Sequence, residues 1–209
     1  MEPCLIILNC IKYADKRAKQ LSTWLASPDF PIKRWYHVIG NPRLPTEFQF
    51  DTDQHILYVN CADNYISLPQ KTYLAVKAVC KEYPSVNYIL KTDDDMNCNI
   101  SALIKCMDTI YKAEYDYGGR LLAVNDHMSV YHYASVEPKD RTPRLCRGTV
   151  YASGRFYFLS RRAAEFILKQ RKVFWDSIFE DNAIGYTATK LPGVKPFMIE
   201  DKSVFYEFS

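Results

Sequence analysis

Three consecutive aspartates, Asp93, Asp94 and Asp95, follow the apolar run VNYIL and a Lys-Thr step in this 209-residue chain. Adjacent carboxylates repel, so a chain that sets three side by side needs a cation or hydrogen-bond donors to compensate. A hard divalent cation takes oxygen ligands, and one that keeps open coordination positions can also hold a diphosphate. In an extended segment alternate residues share a face, which puts Asp93 and Asp95 on one side and Asp94 on the other. Two plainer readings compete: an N-cap for the helix starting near Ser101, or a solvated turn. The position after a buried strand favours the cation, because open α/β sheets bind ligands beyond the carboxyl ends of their strands.

The elements that must position these residues alternate along the chain. Apolar, β-type runs occur at Cys4 to Ile11, Trp35 to Ile39, Ile56 to Val59 and Val86 to Leu90. Helical patterns lie between and after them, at Ala14 to Leu25, Leu68 to Tyr83 and Ser101 to Ala113. Strand, helix, strand in repetition predicts an α/β sheet, largely parallel, with right-handed crossovers. The second half is more irregular. Tyr115 to Tyr133 reads as short aromatic strands and Glu137 to Arg147 as a polar surface loop. TVYASGRFYFLS then reads as strand, RRAAEFILKQ as helix, and a further short helix begins near Glu180. Length and the lack of a linker predict one domain over residues 1–209, with a nucleotide-type half (1–100) and a second half (101–209).

Composition narrows the function classes. A formal net charge of +3, with scattered Lys and Arg, argues against nucleic acid as partner. The seven cysteines are odd in number and lack zinc-ligand spacing, so reduced thiols in a reducing compartment are expected. With no membrane segment in the sequence, the expectation is a soluble cytoplasmic protein or an excised domain of a longer one.

Five segments occur in order: KRAKQLSTW (Lys16 to Trp24), DNYISLPQKT (Asp63 to Thr72), YILKTDDDM (Tyr88 to Met96), YASGRFYFLS (Tyr151 to Ser160) and EDNAIG (Glu180 to Gly185). Together they resemble the β-1,3-glycosyltransferases of glycosyltransferase family 31, which include fringe, the core-1 galactosyltransferases and the β-1,3-N-acetylglucosaminyltransferases. The resemblance implies a GT-A fold: three α/β/α layers around a mixed, mostly parallel sheet. It also implies a UDP-sugar donor, Mn2+ (or Mg2+), a glycan or glycoconjugate acceptor, and inversion at the anomeric carbon. Residue by residue, Asp95 matches the metal ligand, Asp93 serves metal and donor, Asp94 the donor, and Asp181 the catalytic base. The chemistry asks for the same parts: a Lewis acid on the leaving diphosphate, and a carboxylate to deprotonate the attacking hydroxyl. Glu180 is placed to raise the pKa of the base. The plain alternative for Glu180 and Asp181 is acidic residues in a first helical turn.

Other positions carry two readings each. Gly154 allows close approach to the donor or marks a strand bulge. Arg17 and Lys71 either meet donor phosphates or hold Asp63 in an ion pair. Trp175 stacks on a sugar or is buried. The sequence departs from the family in two places. No histidine follows Asp181 to complete a metal shell, and Arg155 stands where glycine is usual, a long cation that either touches the donor diphosphate or narrows the pocket and alters which sugar fits. Competing functions are a GT-A enzyme with another donor or retaining stereochemistry, a nucleotidyltransferase, and an inactive glycan- or nucleotide-binding module.

Overall fold

The computed structural model describes residues 2–200 and 203–208. Its centre is an eight-stranded mixed sheet, whose inner strands are continuous apolar runs because both of their faces are covered. In β1 (Glu2–Leu8), Cys4, Ile6 and Leu8 enter the core on one face, and Leu5 and Ile7 the core on the other. β2 (Arg34–Gly40) and β5 (Val86–Asp93) flank it in parallel. β4 (Ile56–Val59) is parallel to β2, and antiparallel β3 (Phe48–Asp51) closes that edge. On the other side β10 (Thr149–Ser160) runs antiparallel between β5 and β7 (Tyr117–Val124), and β11 (Pro196–Met198) ends the sheet. Two small ribbons pair β6 (Met96–Cys98) with β12 (Phe205–Glu207), and β8 (His127–Ser129) with β9 (Arg144–Cys146).

Helices α2 (Leu68–Glu82), α4 (Arg161–Leu168), α5 (Arg171–Trp175) and α6 (Glu180–Ala188) supply the core on one face of the sheet. Helix α3 (Ile100–Ala113), together with Trp24 after α1 (Ala14–Leu21), supplies the core on the other. The three layers follow. Strand order runs from β1 through β2 to β4 one way and to β5 the other, so the sheet's switch point lies between β1 and β5. Leu8 and Asp93 pair there at the carboxyl ends.

Several expected boundaries shift. Helix α1 stops at Leu21, since Thr23 is non-helical and a 3-10 turn holds Trp24–Ala26. The expected loop Glu137 to Arg147 contains a 3-10 turn (Pro138–Asp140) and β9. All seven cysteines are free and buried, and burial pushes the Cys4 thiol up to about 12. No helix among the described residues is long and apolar enough to cross a membrane.

Candidate active site

The aspartate triplet ends β5 and turns the chain. Asp93 is the last strand residue, Asp94 and Asp95 form the turn, and β6 begins at Met96. The helix that follows is capped by Asn99, whose side chain accepts from Ala102 N, so the aspartates are not its cap. The turn alters the expected facing. Asp94 points away from Asp93, taking hydrogen bonds from Asn9 Nδ2 (2.9 Å) and Lys16 Nζ (3.1 Å). Asp95 shares that lysine at 3.7 Å because it sits in a turn rather than in an extended strand. Helix α1 fixes the backbone of the turn: Gln20 Nε2 donates to Asp93 O (3.0 Å) and Met96 O (2.9 Å), and Trp24 Nε1 donates to Met96 O (3.0 Å).

On the opposite face of β5, Lys91 is 1% exposed and occupies the middle of an acidic cluster. Its ammonium lies 2.7 Å from Asp93 Oδ1 and 3.5 Å from Glu180 Oε2, and it donates to Gly154 O. Strand alternation puts Lys91 and Asp93 together on the face that α6 covers. Asp181 reaches the same point from α6: its Oδ2 accepts from Gly154 N (3.1 Å) and its Oδ1 from Asn182 N (2.8 Å). A Cβ built on Gly154 would lie 3.5 Å from Lys91 Nζ, 3.6 Å from Asp181 Oδ2 and 3.7 Å from Asp93 Oδ2. The two acidic clusters of the sequence therefore meet at Gly154. Of the two readings of that glycine, the structure shows the bulge, since the β10–β7 register slips between Ala152 and Tyr157. Gly185 explains the end of EDNAIG. A Cβ there would fall 2.6 Å from Tyr151 Cα and 2.9 Å from Val150 O, so β10 crosses α6 one turn beyond Asp181 only because no side chain intervenes.

The electrostatics follow from enclosure. Burial pushes the Glu180 carboxyl up to about 7, with Asp181 and Asp93 adding repulsion and Lys91 opposing it. Tyr157 donates its hydroxyl to Glu180. Burial likewise holds Asp181 above the ordinary carboxylate range, against the pull of Lys91. For Lys91, burial lowers the pKa, but Asp93 and Glu180 more than offset this and the ammonium stays charged. Burial raises Asp94 to about 6, against Lys16. Asp93 and Asp95 together fit a hard cation: the Asp95 side chain is 52% exposed, the Asp93 side chain 36%, and the two carboxylates repel. Among the described residues no three His, Cys, Asp or Glu side chains converge as a closed cage. A cation here would rest on those two carboxylates and keep open positions.

Comparison with known proteins decides the family. The sequence profile described as Galactosyltransferase matches residues 45–197. The chain belongs to the galactosyltransferase family. It is 26% identical over 160 residues to the UDP-GalNAc:beta-1,3-N-acetylgalactosaminyltransferase 1 of Sus scrofa, covering 74% of this chain and 47% of that protein. The chain thus spans about half the length of this relative. Among solved structures, S. aureus TarS superposes with a TM-score of 0.53 at 15% identity, over 100% of this chain and 37% of that one. The 4-diphosphocytidyl-2C-methyl-D-erythritol synthase of Anaerococcus prevotii gives 0.50 at 11% identity, over 99% and 90%. These likenesses show the fold, which is of GT-A type.

The family motifs can now be placed. Of the two roles open to Lys71, the structure forms the ion pair: its buried ammonium lies 2.6 Å from Asp63 Oδ1 and donates to Asn9 O at 2.7 Å. Asp63 in turn accepts from Ile11 N (2.7 Å) and Gly40 N (2.9 Å), tying the ends of β1 and β2 together. On α1 it is Lys16 that reaches the aspartates, while half-buried Arg17 places its charge near His37. Arg155 binds Glu207 on β12 at 2.7 Å, and its carbonyl accepts from Thr92 Oγ1 at 2.8 Å. Trp175 packs edge-on against Tyr73, with the Arg171 guanidinium 4.0 Å above its ring, and borders an open cleft. Lys16, Gln20, Lys91 and Tyr157 were not singled out by sequence reasoning. Lys91 carried a usable signal, as the one cation in a strand whose preceding run is mainly apolar.

Proposed function

We propose that this chain is a metal-dependent, inverting glycosyltransferase that moves a hexose from a UDP-sugar to a hydroxyl of a glycan or glycoconjugate. The observation that carries this reading is the convergence of Asp93 and Asp181 on Gly154, beside an open turn that offers Asp95. Family membership supports the reaction class. The name of the Sus scrofa relative supports a UDP-linked donor. A divalent cation on Asp93 and Asp95 would neutralise charge that builds on the leaving diphosphate.

The chain's own residues do the rest. Asp181 takes the proton of the acceptor hydroxyl as it attacks the anomeric carbon from the face opposite the diphosphate. Gly154 N and Asn182 N orient that carboxylate. Its raised pKa makes it a better base than an exposed aspartate. Lys91 keeps Asp93, Glu180 and Asp181 from repelling one another out of register. The test is Asp181→Asn, assayed for UDP-sugar binding by calorimetry and for transfer by product analysis. Donor binding stays near the wild-type value while transfer falls at least about 100-fold, the usual worth of a general base. Retained turnover would remove Asp181 from the mechanism.

A further inference from the structure

Helix α1 buries one side chain, and that side chain is polar: Gln20 is its sole buried residue. The hydrogen bonds of the Gln20 amide lead to two places. Its Nε2 donates to Asp93 O at 3.0 Å and Met96 O at 2.9 Å, the carbonyls that flank the Asp94–Asp95 turn. Its Oε1 faces His37 Nε2 on β2 at 2.9 Å. β1 lies between the two strands so joined, for Ile7 pairs with His37 on one side and with Thr92 on the other. Gln20 therefore bridges from the middle of β2 across β1 to the end of β5.

Chemistry fixes the roles along this bridge. Both carbonyls are acceptors, so the Gln20 amide turns its NH2 to them and its oxygen to His37. That oxygen only accepts, so the imidazole carries its proton on Nε2 and donates it. Burial pushes His37 down to about 3, with Arg17 and His55 adding repulsion, which keeps the ring neutral. His37 is 0% exposed, and its Nδ1 has no hydrogen-bond partner among the described residues. A buried acceptor left unpaired costs stability, and an aliphatic residue at this place in β2 would avoid that cost. Stability alone therefore does not account for a histidine here. Its Nε2–H does, through the amide it meets.

We infer that His37 and Gln20 are positioning residues for the metal site: His37 holds the Gln20 amide in one orientation, and Gln20 holds the backbone on either side of Asp94 and Asp95. The inference rests on the metal-dependent reading above and deepens it. A flipped amide would set its oxygen against Asp93 O and Met96 O, and the turn would shift with the carboxylates it carries. Groups that orient a metal's ligands without touching the metal are typically worth about 10–100-fold in affinity.

The experiment titrates Mn2+ into the protein with UDP present and follows the electron paramagnetic resonance of the ion, for wild type, His37→Leu, His37→Gln and Gln20→Met. Leucine is similar to the imidazole in bulk and cannot donate, whereas the glutamine amide nitrogen reaches about as far as Nε2 and can. Gln20→Met keeps the length of the side chain and removes the amide. His37→Leu and Gln20→Met each weaken Mn2+ binding at least about tenfold, and His37→Gln returns close to the wild-type affinity. Circular dichroism melts show that each variant is folded, and if His37→Leu does not fold, Gln20→Met decides. Wild-type Mn2+ affinity in folded His37→Leu or in Gln20→Met would overturn the inference. So would a His37→Gln variant as weak as His37→Leu, because bulk rather than the N–H would then be what the site needs. A wild type that takes up no Mn2+ removes the metal-dependent reading and this inference with it, whereas wild-type uptake left unchanged in the variants removes this one alone.

Discussion

Replacing Lys91 with Met removes the buried cation that holds the acid cluster together. Its ammonium, 1% exposed, sits 2.7 Å from Asp93 and 3.5 Å from Glu180, and donates to Gly154 O. Breaking a buried ion pair by deleting one partner costs about 3–5 kcal/mol, because the other charges stay buried and unpaired. The Asp93 side chain is 36% exposed, so solvent screens part of its share and the lower end applies to that contact. For a chain of this size about 1 kcal/mol lowers the melting midpoint by about 2–4 °C, which puts the loss at roughly 6–20 °C. The loss also has a pH signature. Glu180 is raised from 4.5 to about 7, so between those values the folded state holds more protons than the unfolded one and stability falls as pH rises. Without Lys91 the carboxylates it lowers rise further, and the deficit grows towards alkaline pH. Thermal melts of wild type and Lys91→Met at about pH 5 and about pH 8 measure both effects. A deficit below about 1 kcal/mol, or one equal at the two pH values, would refute the assignment of Lys91 as the cluster's counter-ion.

Other consequences are as direct. Gly185→Ala drives a methyl group into Tyr151, and overpacking of this kind costs about 1–3 kcal/mol or more, visible as a lowered denaturation midpoint. Lys71→Met leaves Asp63 buried without its ammonium and destabilises by about 3–5 kcal/mol. Because Lys71 sits in a structural ion pair, donor affinity per folded molecule should not change, and calorimetry checks this. Burial raises the Asp63 carboxyl, but Lys71 and two backbone N–H groups outweigh it and hold the carboxyl below its ordinary value. Its stabilisation is therefore present above about pH 4 and lost as pH falls further, which an acid unfolding curve of Asp63→Asn against wild type resolves.

The parallel strands β1, β2, β4 and β5 were legible because each is built on a mainly apolar run between turn residues, and α2 because Tyr73, Val76, Val79 and Cys80 repeat on one buried face. The short strands β3, β11 and β12 and the five-residue α5 were not. Segments of that length leave no periodicity to read, and their pairing comes from distant chain. At the site, the sequence marked both acidic clusters but not their meeting point. That depends on β10 entering antiparallel beside β5 and on α6 crossing it at Gly185, which are tertiary facts. The choice of Lys16 over Arg17 rests on about a third of a helical turn and lay below the resolution of motif matching.

The most direct test of the central claim is calorimetric titration of UDP- and GDP-sugars into wild type and Asp95→Ala, with and without Mn2+. The account predicts that wild type binds a UDP-sugar only with the metal present, and that Asp95→Ala loses this binding while keeping its thermal midpoint. Failure of every nucleotide sugar to bind wild type with Mn2+, or wild-type binding by Asp95→Ala, would contradict it.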